Sequence, residues 1–84
     1  MLTVGVWAEV QVGKEHLRLF SENGAQGTQA SVYSVNTNTW IAPSETVENV
    51  EHGKERAAEY ARVYLKHVAN SELPPLEWKA SRSR

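Results

Sequence analysis

The chain of 84 residues has no cysteine, no aspartate, a single phenylalanine and no long apolar run. Without cysteine there are no disulfides, thiolate metal sites or thiol nucleophiles. Without aspartate the only carboxylates are ten glutamates, and no serine stands in a nucleophile-elbow pattern. Charge of one sign is lacking too: nine basic residues against ten acidic ones leave a formal net charge of -1. Such a balance exerts no overall pull on nucleic acid or an anionic membrane. No stretch approaches the ~18 apolar residues of a membrane span. The N-terminal "MLTVGVWAEVQV" has no Lys/Arg leader and no small-residue cleavage site, so it reads as a strand rather than a signal peptide, and a cytoplasmic setting is expected. At this length the chain forms one domain, which buries only roughly 60–65% of its unfolded surface. Self-association is the remaining route to more burial.

What is present begins with alternation. Leu2, Val4, Val6, Ala8, Val10 and Val12 are apolar, with Thr3, Gly5, Trp7, Glu9 and Gln11 between them. That period of two marks a half-buried strand. Gly13-Lys14 suits a two-residue hairpin turn, glycine supplying the positive φ. The register follows: Val12 faces Glu15, Val10 faces Leu17 and Ala8 faces Leu19 on one side. On the other, Gln11 faces His16, Glu9 faces Arg18 and Trp7 faces Phe20, each pair chemically matched.

Ser21 to Gln29, "SENGAQGTQ", collects glycine, asparagine and small polar residues and reads as a loop. No Lys-Ser/Thr follows its glycines, so it is not a phosphate-binding loop. A second hairpin is expected with strands near 29–35 and 39–42, a break or bulge near Asn36-Thr37-Asn38, and Pro43 as its end. From Val50 to Val68 the period becomes 3.6. Val50, Ala57, Ala61, Tyr64, Leu65 and Val68 share one arc, with Ala58 and Tyr60 on its margins, and Val63 is the lone apolar residue of the charged arc. Gly53, Ala57 and Ala61 recur every four residues as a small-residue groove that another backbone or a flat ring could approach. Asn70-Ser71 and then Pro74-Pro75 stop the helix. The fold class is therefore α+β: an antiparallel sheet of three to four strands in β-β-β-(β)-α order, with one amphipathic helix on one face. Residues 1–72 form the domain; residues 73–84 form an extended, basic, proline-containing segment that packs back at least through Trp78.

Catalytic and metal chemistry finds no frame. His52 and His67 lie fifteen residues apart on the helix, ~22 Å by helix rise, and cannot share a metal. Glu48, His52 and Glu55 share a face without a second histidine, the pattern of a solvated charged surface. No metal or cofactor is expected, and a single layer of sheet and helix offers little concavity for an enzyme pocket. Two surfaces call for a partner. The sheet face carrying Trp7, Phe20, Arg18 and Tyr33, together with the groove of Gly53, Ala57 and Ala61, suits a homodimer or another protein. The alternative is a single-stranded nucleic acid stacked on the rings and held by His16, Arg18, Lys79, Arg82 and Arg84. Glu9 beside Arg18 and the balanced net charge weigh against it. A small-ligand cavity between dimer halves is a third expectation, inseparable from the first at the level of sequence.

Overall fold

The computed structural model describes residues 4–24 and 27–82. Strands β1 (Val4–Val12), β2 (Glu15–Gly24), β3 (Gly27–Ser34), β4 (Thr39–Val47) and β5 (Lys79–Arg82) form one antiparallel sheet in the order β4-β3-β2-β1-β5. Helix α1 (Val50–Ala69) packs on one face of it, giving the α+β architecture. The sheet has five strands where three to four were expected, the fifth coming from the C-terminal segment. Leu2, Thr3 and Arg84 lie outside the described residues.

The first hairpin has the expected register, from Val12↔Glu15 to Trp7↔Phe20. Gly13 turns it at φ 60°, a conformation with no Cβ penalty for glycine. The aliphatic side becomes core: Ala8, Val10, Leu17 and Leu19 are buried with Ala30, Val32 and Ala42 of the next hairpin.

The loop expected over Ser21–Gln29 is instead the end of one strand and the start of the next. β2 and β3 stay paired through Ser21↔Ala30 and Asn23↔Thr28 to Gly24↔Gly27. Polar composition was a poor guide because these groups find partners inside the fold. The buried Ser21 Oγ donates to the Val50 carbonyl at 2.8 Å, and Thr28 bonds to the Asn23 side chain.

Pro43 does not end β4, which runs on to Val47. β4 is an edge strand, and its register against β3 shifts between Ala30 and Tyr33, so the proline falls where the ladder is already interrupted. The expected break at Asn36–Asn38 is the turn, with Asn38 in the left-handed region at φ 58°.

α1 starts at Asn49, whose Oδ1 accepts from the His52 N–H at 2.8 Å. It stops at Asn70, left-handed at φ 49°, with the Ser71 N–H donating to the Leu65 carbonyl at 3.3 Å. Gly53, Ala57, Ala61 and Leu65 form its buried stripe. Val68, expected in the core, is 44% exposed in the final turn. Beyond the helix, Leu73, Leu76 and Trp78 pack against the core, and the chain then joins the free edge of β1 as β5.

Candidate functional site

The sheet face opposite α1 carries every second residue of each strand. One cross-strand row is Trp7 beside Phe20; the next is Glu9, Arg18, Tyr33 and Trp40. Alternation along the strands places these rings together because their register partners are rings or polar groups, never core aliphatics. The Tyr33 and Trp40 rings meet edge to face with centroids 4.9 Å apart, and Phe20 lies 6.1 Å from Trp40. Trp40 is 56% exposed, while Trp7, Phe20 and Tyr33 are half-buried. The Tyr33 hydroxyl bonds to the Asn38 side chain of the turn, which fixes that ring.

Beside the rings lies an ionic cluster. Glu9 Oε2 stands 2.5 Å from His16 Nε2 and accepts from Arg18 Nε at 3.2 Å. The hydrogen bond from His16, and next that from Arg18, hold the Glu9 carboxyl below its ordinary pKa. Glu9 thus stays ionised and engages both the His16 ring and the Arg18 guanidinium. On the β1 edge, Lys79 Nζ sits 5.4 Å from the centre of the Trp7 ring.

His16, Arg18 and Lys79 therefore share the face with Trp7, Phe20 and Tyr33. Arg82 lies in β5 opposite Val4. Gly53, Ala57 and Ala61 do not belong to this surface. They are buried against the chain's own sheet, and a Cβ built on Gly53 would stand 2.1 Å from Ser21 Oγ. The close approach that groove allows is made by β2, which corrects its expected role as an interface. Trp78, on the helix side, does not cover the rings; there Lys54 Nζ lies 5.8 Å from its ring centre.

Trp40 is the surface residue that sequence reasoning missed. The signal was available: centring the second hairpin on Asn36-Thr37 puts Trp40 opposite Tyr33 by the same register arithmetic that worked for the first. The face is a platform of rings bordered by the Glu9–Arg18 ion pair. Among the described residues no group of three or more metal-ligating side chains comes together. No helix among them is long and apolar enough to cross a membrane. The chain matches no known protein-family model, no curated protein and no solved structure.

Proposed function

We propose that the protein is a small, non-enzymatic interaction module acting in the cytoplasm, which self-associates as a homodimer with the ringed faces of two sheets in contact. One observation carries this: on the sheet face opposite α1 four aromatic side chains gather, Trp40 exposed and Trp7, Phe20 and Tyr33 half-buried, with Lys79 of the C-terminal segment beside Trp7. Exposed patches of this kind mark contact surfaces. A twofold axis through the face would let each copy bury the other's Trp40, adding the surface that a domain of this size lacks. Light scattering on a sizing column, over a dilution series, tests it. The native chain should run at twice its monomer mass, and Trp40→Ala or Phe20→Ala should move the dimer towards monomer while the melting temperature shifts less. A native monomer at all concentrations, or unchanged mass in both variants, would overturn the proposal.

A second function has one observation in its favour: His16, Arg18 and Lys79 lie on the same face as the rings. That is the layout for stacking the bases of a single strand. Glu9 opposes it by holding His16 and Arg18 and by repelling phosphate. Titrating tryptophan fluorescence with an oligonucleotide at low salt decides between them. Quenching that saturates and disappears with added salt would favour the nucleic acid.

A further inference from the structure

We infer that the solvent side of α1 is a second docking surface, and that its occupant is another copy of this chain with its own α1 lying antiparallel. This goes beyond the sheet-face dimer and does not depend on it. Glu55, Glu59, Arg62 and Lys66 fall within roughly 60° of arc on the helix, a single stripe facing away from the buried one. About a point between Tyr60 and Ala61 the stripe is its own complement. In an antiparallel pair Glu55 falls opposite Lys66 of the second copy and Glu59 opposite Arg62.

The helix dipole alone explains acid at the start and base at the end. It does not explain why Glu55, Arg62 and Lys66 make no ion pair within the chain, among the described residues, although the three lie together. Glu59, beside them, is held by Arg56 Nη1 at 2.6 Å and has a second oxygen left to accept from Arg62 of the other copy. On one flank of the stripe Val63 is 64% exposed, the most exposed large apolar side chain in the described fold, so an apolar group borders the charges that would meet. Exposed ion pairs contribute little each, so this contact is weak, and it loosens as salt shortens the Debye length from ~10 Å at about 0.1 M to ~3 Å at about 1 M. With the sheet faces joined on the other side, it links dimers into larger stacks.

Light scattering at those two salt concentrations, with circular dichroism on every variant, tests the inference. The native chain should show higher mass at low salt than at high salt. Glu55→Lys and Lys66→Glu should each abolish the difference, and the double variant Glu55→Lys/Lys66→Glu should restore it. The control Glu55→Lys/Arg62→Glu has the same net charge as that double variant but the wrong register, and it should not restore it. A salt-independent native mass, or a double variant of native helicity that stays at the lower mass, would overturn the helix contact. Failure of the sheet-face dimer reads differently: Trp40→Ala would leave the mass at high salt unchanged, whatever the charge variants do.

Discussion

At the scale of single residues, Gly53 decides how near the helix can come to the sheet. In an exposed helix, Gly→Ala gains about 1 kcal/mol. Here the added methyl would meet Ser21 Oγ at 2.1 Å, Ser21 Cβ at 3.0 Å and Val47 Cγ2 at 3.3 Å. Overpacking of this kind costs about 1–3 kcal/mol, so Gly53→Ala should destabilise the protein, and urea unfolding reads the sign directly. Four-residue spacing of small side chains announced a close approach, but not that Ser21 would fill it, because Ser21 had been assigned to a loop. Asn49 is the simpler case. Its side chain satisfies the His52 N–H, so Asn49→Ala should lower stability by about 1 kcal/mol in the same unfolding experiment.

At the scale of elements, β4 and α1 are joined by a clamp. Arg56 donates to Glu45 through Nε at 3.3 Å and Nη2 at 3.2 Å, and the Tyr60 hydroxyl donates to the same carboxylate. Tyr60, and then Arg56, hold the Glu45 pKa below its ordinary value of 4.5; Glu45 in turn raises that of Tyr60 above 10.0. A lowered carboxylate pKa adds stability above its unfolded value, and the gain is lost as pH falls through the folded one. A raised tyrosine pKa adds stability below its unfolded value, lost as pH rises through the folded one. Thermal melts of Glu45→Gln and the native protein should therefore differ most near neutral pH, converging in acid and again in strong alkali; a constant gap across the range would refute the clamp. None of this was visible in the sequence, since Glu45 and Tyr60 are fifteen residues apart on different elements. Local pairing was another matter. Trp7↔Phe20 and Glu9↔Arg18 could be read because a two-residue turn and matched faces leave one register open. The strands at Ser21 and Thr28 could not, because buried serine and threonine with hydrogen-bond partners look in sequence like solvated ones. Pro43 misled for a related reason: whether a strand lies at an edge is a property of the sheet.

At the scale of the whole molecule, a helix and a returning segment share the covering of one sheet face. Leu73, Leu76 and Trp78 complete that layer, so Trp78→Ala should cost on the order of 2–3 kcal/mol even though the residue lies outside every strand and helix. A loss no larger than that of a surface substitution would show the segment to be a passenger. The ringed side was legible through Trp7 and Phe20, placed by parity, with Tyr33 expected to join them. That Leu73, Leu76 and Trp78 would pack on the other side was not, since the direction of the C-terminal segment depends on where α1 leaves the chain. The pairing of β5 with β1 also has a consequence in time. Val4 finds its outer neighbour only in Arg82, whereas each of the other strand pairs joins consecutive segments. The two hairpins and α1 can therefore assemble early from nearby contacts, while one flank of β1 waits for a loop of more than seventy residues to close. Until then the young molecule carries an unpaired strand edge beside an unfinished apolar layer, the condition under which a half-made sheet recruits a stranger's strand instead of its own.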